Sequence, residues 1–465
     1  MKYRLVKEPS FYKAVLALGL PIALQNLITQ ATSMIDSIML GAADQTGELI
    51  SAASLANQPF FILSIFCFGL ASGSAVLAAQ YWGKNDRESI RLIVSMIMKV
   101  AVLVSMLFST AVLLFPAQVM RLFSSNPAIC AYGAEYLRII GFAYVLFGFG
   151  YTLLCSLRSI ELVRISVVVN SVSFVTNVFL NWVLIFGNLG MPALGIKGAA
   201  IATLIARIVE FAITVIYVFF IDKRLGFRLK HFFLFDKTLA RDLLRHGTPV
   251  VINELMWALA ISVQAAILGH ITYSKGDPVA ANTVAGMVQQ LTTVFIIGLG
   301  NAAAVLVGKS IGEGKKEEAL NRSYTLEIIS IFLGIVSFFV IILLQSPVIS
   351  LYSLQGETVQ LARDLIVVVA VVCAFSSVSC TLIMGVLRGG GDTRFCLFTE
   401  MICLWCVAIP AALLGSYLQL PVPIVLCLMK VDEVLKCVIC IFRLKLGNWM
   451  RALTRERAGS DNVIA

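Results

Sequence analysis

Long apolar segments recur along the whole chain and constrain its fold more than any other feature. A helix needs about 20 mostly apolar residues to cross a bilayer, whereas strands of a membrane β-barrel alternate over about ten. The chain is 59% hydrophobic and only 13% charged, whereas soluble proteins average roughly 45–50% and 25%. The sequence therefore predicts an all-α polytopic membrane protein with twelve transmembrane helices. The predicted spans lie near residues 16–41, 51–80, 91–115, 133–157, 162–187, 194–221, 246–271, 279–311, 323–346, 359–387, 395–417 and 420–444.

The distribution of basic residues predicts the orientation of these helices. Counted over alternate connections, 27 Lys and Arg residues fall on the side that carries both termini and 4 on the opposite side, with Arg158 and Arg388 assigned to connections. Loops rich in Lys and Arg stay in the cytoplasm. We therefore expect a multi-pass protein of the cell inner (plasma) membrane with both termini cytoplasmic. The remaining basic residues fall within spans: Lys99, Arg138, Arg207, Lys430 and Lys436.

The net charge of +10 does not require a nucleic acid partner. Basic residues that flank membrane spans follow from topology and from attraction to anionic lipid. The expected partners are the lipid bilayer and small amphipathic or cationic molecules, with no nucleic acid, and we expect the chain to act as a monomer.

The two halves of the chain repeat each other. The segment 69–84 recurs at 298–313, and the segment 157–164 recurs at 387–394, at offsets of 229 and 230 residues. A nearly constant offset indicates an internal duplication. Six spans in each half make two pseudo-symmetric six-helix lobes, an arrangement typical of transporters. The predicted units are an N-lobe (1–221), a basic cytoplasmic linker (222–245), a C-lobe (246–446) and a cytoplasmic tail (447–465).

Polar side chains inside the apolar spans predict a functional site, because each of them costs free energy in lipid. In the first span they are spaced by three or four positions and therefore share one helix face. If this face meets similar faces of the fifth and sixth spans, one carboxylate, two amide oxygens and a hydroxyl form a set that binds a hard monovalent cation or takes up a proton. The predicted coupling-cation or proton site is Asp36, Asn177, Asn181 and Thr203, with a supporting polar face of Gln25, Thr29, Thr32 and Asn170.

A purely structural role is the alternative for most of these residues. Asn and Thr in membrane helices often only bond neighbouring helices together, at about 0.6–2 kcal/mol each. Asp36 is less easily explained in that way, because an unpaired carboxylate at depth costs about 2.5–3.5 kcal/mol. In the second half, Asp36 corresponds to Gln264, while Asn177 and Asn181 correspond to apolar residues. The predicted ionisable cluster therefore belongs to the first half alone.

The second half carries a buried acid of its own, Glu254, which corresponds to Asn26. Glu254 is a candidate second protonation or substrate site, and the alternative is an acid near a helix end that faces the cleft. Glu400 is expected close to the cytoplasmic surface. Arg207 and Glu210 are spaced for a local ion pair on one helix.

No pattern in the sequence is typical of an enzyme or of a cofactor-binding protein. Cys403–Cys406 and Cys437–Cys440 have the spacing of zinc ligands, but they lie in predicted spans, where several thiolates would have to be desolvated. The segment 308–316 misses the spacing of a phosphate-binding loop. We therefore expect no enzymatic activity and no cofactor.

Several motifs resemble those of the multidrug and toxic compound extrusion (MATE) transporters over nearly the whole chain. The resemblance rests on MIDSIMLG (34–41), LANQPF (55–60), GLASGSAVLAAQYWGKND (69–86), NVFLNWVLIFG (177–187), GAAIATL (198–204) and GVLRGGGDTRF (385–395). It implies the twelve-helix, two-lobed fold of that superfamily and the export of organic cations in exchange for Na⁺ or H⁺. It also places Asp36, Asn177 and Thr203 on the family's N-lobe cation site, so no metal is expected other than Na⁺ at these residues.

Two departures from the family pattern bear on coupling. Some members carry a second acid at the position of Asn181, so the site here has one formal negative charge. The sodium-coupled bacterial members carry an acid eleven residues before the arginine of the LRG motif, and here that position, counted from Arg388, is Ser377. We therefore expect coupling to rest on the N-lobe.

The predicted function is secondary active multidrug efflux by antiport, through a central cleft expected to be broad, apolar and aromatic with few acids. One alternative is a lipid-linked precursor flippase of the same superfamily. Twelve spans and little cationic character at depth disfavour that alternative. A membrane-embedded enzyme is an alternative from another class, and it would need a converging nucleophile or metal set that the sequence does not show.

Overall fold

The computed structural model describes residues 4–44, 47–351 and 356–455, and these residues form helices with no strand among them. Proline residues and side-chain caps begin many of the helices, as expected at helix N-termini. Asp86, Asn126, Asp236 and Asp277, for example, each accept a hydrogen bond from a first-turn backbone N–H. The helices are α1 (Pro9–Ala43), α2 (Glu48–Gly83), α3 (Arg87–Leu114), α4 (Pro127–Ser159), α5 (Arg164–Phe186), α6 (Ile196–Ile221), α7 (Lys237–Gly269), α8 (Pro278–Gly312), α9 (Lys316–Leu351), α10 (Glu357–Leu387), α11 (Thr393–Tyr417) and α12 (Val422–Met429 and Val431–Leu446).

Eleven of these helices in the described part of the chain are long and apolar enough to cross a membrane without a break. The twelfth, predicted as one span at 420–444, is divided at Lys430. The Lys430 side chain points to α7 and donates to Gln264 Oε1 at 3.0 Å. A lysine at this depth needs such a partner, and it interrupts the apolar run that a continuous span requires.

Part of the predicted linker between the lobes is helical. Helix α7 begins at Lys237, so residues 237–245 of the predicted linker 222–245 are helical. The reason is the cap: Asp236 accepts from the Leu239 backbone N–H at 2.8 Å, which satisfies a donor of the first turn. The remaining linker contains a single helical turn, Leu229–Phe232.

The two lobes meet along α1 and α8 and along α2 and α7. Close approach requires glycine at these crossings, because a Cβ at Gly73 would lie 2.8 Å from the Cα of Gly247, and one at Gly298 would lie 2.6 Å from the carbonyl oxygen of Gly19. All four glycines lie in the half of the bundle nearest the connections after α2, α4, α6, α8 and α10. We call this end the basic end, and the lobes are closed against each other there.

Residues 447–455 also join the lobes at the basic end. The predicted tail spans 447–465, of which 456–465 lie outside the described residues. Trp449 is fully buried in the core beside α8 and α10. Beyond it, the Leu453 N–H donates to Gln80 Oε1 of α2 at 2.8 Å, and Arg455 forms a 2.7 Å ion pair with Asp242 of α7. The described part of the tail is therefore packed between both lobes.

Candidate functional site

The structure brings the four predicted site residues together within the N-lobe. Asn181 Nδ2 donates to Asp36 Oδ1 at 2.5 Å and to Asn177 Oδ1 at 3.1 Å. Asn177 Nδ2 in turn donates to Thr203 Oγ1 at 3.2 Å. Helices α1, α5 and α6 therefore each contribute to one hydrogen-bonded cluster, which we call the Asp36 cluster. Its role in ion coupling stays a prediction.

The Asp36 cluster has free acceptor capacity. Asn177 and Asn181 are 1% and 0% exposed, and Asn181 Oδ1 is buried without a hydrogen-bond partner in the described part of the chain. Buried polar atoms without partners are rare in folded proteins. Carboxylate, amide and hydroxyl oxygens are ligands that suit a hard cation, and the carboxylate alone can take up a proton.

The predicted supporting residues do not join the Asp36 cluster. Gln25, Thr29 and Asn170 line a separate cavity between the lobes. Thr32 Oγ1 donates to the Ile28 carbonyl of its own helix at 2.9 Å. Gln25 lies eleven residues before Asp36 on α1, about 16 Å along the helix, so the polar stripe of α1 reaches two different sites.

The central cavity has a volume of about 510 Å³ and is lined by both lobes. Its N-lobe wall is aromatic: the rings of Phe147 and Tyr151 are stacked with centroids 5.1 Å apart, and Phe60 packs edge-on against Phe147 at 4.8 Å. Such a wall suits a flat, largely apolar molecule of drug size.

The charge of this cavity differs from the prediction. A cleft with few acids and little cationic character at depth was expected, and both expectations are wrong. Polar walls of this kind form where several helices turn charged side chains inward, away from lipid. The charged residues that line the cavity are Arg158, Arg207, Arg388, Lys430 and Lys436 with Glu210, Glu254, Glu400 and Glu433.

Three of the five basic residues are neutralised by acids. Arg207 pairs with Glu210 at 2.6 Å, as predicted. Arg388 pairs with Glu254 at 2.8 Å. Lys436 pairs with both Asp432 and Glu433, at 2.9 and 2.7 Å.

The other three charged residues of the cavity wall have neutral partners among the described residues. Arg158 Nη2 donates to Gln25 Oε1 at 2.6 Å, and Lys430 donates to Gln264. Glu400 Oε2 accepts from Asn253 Nδ2 at 2.6 Å. The cavity therefore offers a buried guanidinium, an ammonium and a carboxylate without a counter-ion from the described chain.

Sequence reasoning misplaced several of these residues. Arg158 and Arg388 were assigned to connections because the apolar runs end one residue before each of them. In the structure, both arginines are buried where α4 and α10 finish, at the basic end of the bundle. Glu400, expected near the surface, lies on the cavity wall because α11 already begins at Thr393. The signal that could have found the arginines is their recurrence at matching positions of the two halves.

Arg207 connects the two sites. It follows Thr203 by one helical turn on α6, and its guanidinium lies over the rings of Phe60 and Phe147 at 5.6 and 5.4 Å. Thr203 belongs to the hydrogen-bonded Asp36 cluster, so a change of charge at Asp36 changes the electrostatic field at Arg207, one helical turn away on the cavity wall.

The described residues contain no group of three or more His, Cys, Asp or Glu side chains positioned to hold a metal ion. The Asp36 cluster contains one carboxylate, two amide oxygens and a hydroxyl.

Comparison with known proteins gives matches over nearly the whole chain. The family model described as MatE matches residues 21–183 and again 249–414. "Probable multidrug resistance protein NorM" of Thermotoga maritima is 24% identical over 98% of this chain and 99% of that protein. "Probable multidrug resistance protein NorM" of Rhizobium meliloti is 28% identical over 85% of both chains.

Solved structures give the same picture of the fold. A crystal structure of "MATE in the bent conformation" covers 96% of this chain with a TM-score of 0.82 at 17% identity, and 99% of that chain is covered. A structure described as the outward-facing conformation of a MATE family transporter gives a TM-score of 0.80 at 18% identity, with coverage of 96% and 99%. The predicted all-α fold of two six-helix lobes is confirmed by these likenesses.

Proposed function

The chain belongs to the MatE family, and from this premise we propose that it is a secondary active multidrug efflux antiporter. It exports organic cations and other amphipathic drugs in exchange for Na⁺ or H⁺. The multidrug resistance proteins among its relatives support this proposal, as does a central cavity of drug size with an aromatic wall.

The observation that carries the proposal of ion coupling is the Asp36 cluster. It joins one carboxylate to two buried amides and a hydroxyl in the N-lobe, and one amide oxygen remains without a partner among the described residues. At the equivalent position of the C-lobe, Gln264 is bonded to Lys430, a resident cation. We infer that an exchangeable cation binds in the N-lobe alone.

The proposed mechanism depends on the change of charge at Asp36 when an ion binds. A cation or proton that reaches Asp36 neutralises the carboxylate and changes the field at Arg207 on the cavity wall. Drug affinity then falls, the drug leaves, and the lobes rock to carry the ion inward, which is a shift between two pre-existing states. One charge that falls through about 100 mV supplies about 2.3 kcal/mol, enough for a roughly 50-fold concentration ratio of the drug.

We place the basic end in the cytoplasm of the cell, with both termini there and the protein in the inner (plasma) membrane. The excess of Lys and Arg in connections at this end supports that orientation. The close helix crossings then seal the cytoplasmic side of the cavity. We propose that the protein works as a monomer, since the cavity and the Asp36 cluster are each built within one chain.

Glu254 is bound to a cationic side chain of its own lobe. Its ion pair with Arg388 links α7 to α10, and Arg388 also donates to Ser72 of the N-lobe at 3.0 Å. Glu254 as a second protonation or substrate site stays a prediction. We propose that it acts mainly as the counter-ion of Arg388.

A flippase for lipid-linked precursors is the second candidate, because five basic residues line the cavity. Phosphate recognition favours several unneutralised cations. Three of the five are paired with acids, which favours the drug antiporter. We propose transport and not catalysis for the cavity.

Reconstituted vesicles test the proposal. Ethidium efflux is measured under separately imposed Na⁺ and pH gradients for the natural protein and for Asp36→Asn. We expect one gradient to drive efflux and Asp36→Asn to abolish that dependence. The matched control is Asp364→Asn, which alters an exposed carboxylate of α10 and should behave like the natural protein. Gradient-driven efflux that survives Asp36→Asn refutes the proposal.

A further inference from the structure

The linker between the lobes folds back along α3 of the N-lobe. The Ser95 hydroxyl lies 2.8 Å from the Phe232 carbonyl oxygen and 3.1 Å from that of Leu234. Lys99 Nζ donates to the Leu234 carbonyl at 2.8 Å. Ser95 and Lys99 lie about 12 and 18 Å along α3 from its first residue, which is at the basic end. Residues 232–235 of the linker therefore lie beside the first turns of a membrane span, and not beyond its end.

This part of the linker carries large apolar side chains on its surface. Phe233 and Phe235 are 75% and 66% exposed, and Leu229, four residues before Phe233, is 65% exposed. Exposed apolar side chains cost free energy in water, whereas beside a membrane span they lie among lipid. Apolar and basic side chains together in one short segment are typical of chains that lie in the membrane interface.

The residues next to these apolar side chains line an open pocket of about 490 Å³, between the linker, α3 and the end of α6. Asp222 is the one acid among the described residues that line it, and its carboxylate accepts from three backbone N–H groups that follow it, at 3.0 to 3.4 Å. The pocket therefore carries a net positive charge. The basic side chains that line it are those of Arg91, Lys223, Arg228 and Lys230.

These basic side chains have little negative charge to offset them. Lys223, Arg228 and Lys230 are exposed and take part in none of the ion pairs formed by the described residues. His231 also lines the pocket, and burial together with the positive charge of its neighbours lowers the pKa of His231. A positive potential of this kind favours an anionic ligand.

The linker holds Arg91 in place at the pocket. Its Nε donates to the Leu225 carbonyl at 2.7 Å, while its two Nη groups remain available to a ligand in the described part of the chain. Gly226 has a φ of 59°, and a Cβ there would lie 3.1 Å from Arg91 Nη2. Glycine at this turn therefore leaves room for the guanidinium.

We propose that this pocket binds the phosphate headgroup of an anionic phospholipid from the leaflet at the basic end, while Phe233 and Phe235 lie among acyl chains. Arg and Lys form strong charge-assisted hydrogen bonds to phosphate oxygens, and basic pockets beside membrane spans are typical of headgroup sites. This is a defined site, in addition to the general attraction of flanking basic residues to anionic lipid. It lies outside the central cavity and requires only that the chain spans a membrane.

Native mass spectrometry of the purified full chain tests the proposal. Phosphatidylglycerol or phosphatidylcholine with the same acyl chains is added stepwise, and the dissociation constant of each lipid is measured. For the natural protein we expect phosphatidylglycerol to bind about 10-fold or more tightly, because its headgroup keeps a net negative charge. Glycerol 3-phosphate, which has the phosphate without acyl chains, should not displace the bound lipid.

A charge variant locates the headgroup. Arg228→Gln with Lys230→Gln should weaken phosphatidylglycerol binding about 30-fold, since each basic residue at an anionic surface contributes roughly five-fold. The matched control is Lys315→Gln with Lys316→Gln, which removes two cations at the same end from a surface pocket that also holds three glutamates. This control should bind phosphatidylglycerol like the natural protein.

An apolar variant locates the acyl chains. Phe233→Ser with Phe235→Ser keeps every charge of the pocket, so it should weaken the binding of both lipids by about 10-fold and preserve the preference for phosphatidylglycerol.

Three results would overturn the proposal. The first is equal binding of the two lipids by the natural protein. The second is the same phosphatidylglycerol affinity in the Arg228 and Lys230 variant as in the control, when both elute as monodisperse protein. The third is displacement of the lipid by glycerol 3-phosphate, which would identify a site for free phosphate.

Discussion

At the scale of single residues, the chemistry of this protein is decided by which buried charges have partners. Asp36 accepts from the neutral amide of Asn181, whereas Glu254 is paired with the permanent cation of Arg388. We therefore propose different roles for these two carboxylates, ion exchange at Asp36 and a structural ion pair at Glu254. The difference lies in their neighbours, which no single helix pattern reveals.

Asn181 should tune ion affinity. It is the residue that contacts both Asp36 and Asn177, and its buried Oδ1 is a free acceptor among the described residues. Asn181→Ala removes a ligand oxygen, and we expect the concentration of coupling ion that gives half-maximal ethidium efflux to rise about 10-fold or more, since second contacts of ion sites have effects of 10- to 100-fold. Asn188→Ala, in the exposed loop after α5, is the control. An unchanged half-maximal concentration would contradict the assignment.

Glu254 should matter for stability. Glu254→Gln leaves Arg388, which is 2% exposed, without its counter-ion. We expect the free energy of unfolding to fall by about 3–5 kcal/mol, the range for breaking a buried ion pair from one side. Thermal unfolding in detergent measures the effect. The double variant Glu254→Leu with Arg388→Met should recover most of the loss, and a single variant as stable as the natural protein would disprove a structural role for the pair.

At the scale of helices, much could be predicted from the sequence. Apolar runs located the spans because lipid demands uninterrupted helical hydrogen bonding. Spacing placed the polar residues of the first and fifth spans on one face of each helix, and the resemblance to the MATE transporters implied that Asp36, Asn177 and Thr203 share a site. Helix ends were less predictable. Hydropathy falls at the first charged residue, so Arg158 and Arg388 were excluded from helices that contain or directly precede them.

The interior of the cavity could not be predicted for a different reason. Whether a charged side chain in a span faces lipid, a neighbour or a cavity depends on how the helices are packed against each other. Lys436 of α12 pairs with Asp432 and Glu433 of its own helix, and the sequence analysis did not identify these pairs. Glu400 of α11 and Arg158 of α4 share a cavity because many helices from both lobes pack together. This packing could not be predicted from the sequence.

The helix crossings between the lobes predict a conformational variant. Gly73→Val adds a side chain whose Cβ would lie 2.8 Å from the α7 backbone at Gly247, so the lobes cannot close at the basic end. We expect the distance between spin labels on the connections after α2 and α8 to increase, measured by pulsed electron resonance. Gly286→Val is the control, since no described atom lies within 4 Å of its added Cβ. A distance that stays at its natural value in Gly73→Val would show that the crossing does not limit closure.

At the scale of the whole molecule, the tail and the glycine crossings hold the two lobes together at one end. Gln80 of α2 accepts from the Leu453 N–H and donates to the Arg451 carbonyl at 3.1 Å, and the Arg451 N–H donates to the Gly390 carbonyl at 2.8 Å. The proposed rocking of the lobes would break contacts of this kind. The tail therefore contributes to the stability of the closed basic end.

Removing these hydrogen bonds should loosen the tail. In Gln80→Ala, we expect backbone amides within 450–455 to exchange with deuterium about 30-fold faster, since two hydrogen bonds of about 1 kcal/mol each are lost. Mass spectrometry of peptides from this segment measures the rate. Gln345→Ala, which removes a bond between α9 and the Arg363 carbonyl inside one lobe, is the control. Equal exchange in Gln80→Ala and the natural protein would show that Gln80 does not hold the tail.

In the proposed mechanism, a cation at Asp36 and a drug in the cavity oppose each other's binding. The most direct measurement is the dissociation constant of ethidium in nanodiscs, with and without Na⁺ and across a pH series, for the natural protein and Asp36→Asn. We predict that Na⁺ or protons weaken ethidium binding by about 5-fold or more in the natural protein, the usual range of such coupling, and have no effect in Asp36→Asn. Identical ion dependence of ethidium binding in the two proteins would show that Asp36 does not couple ion binding to drug binding.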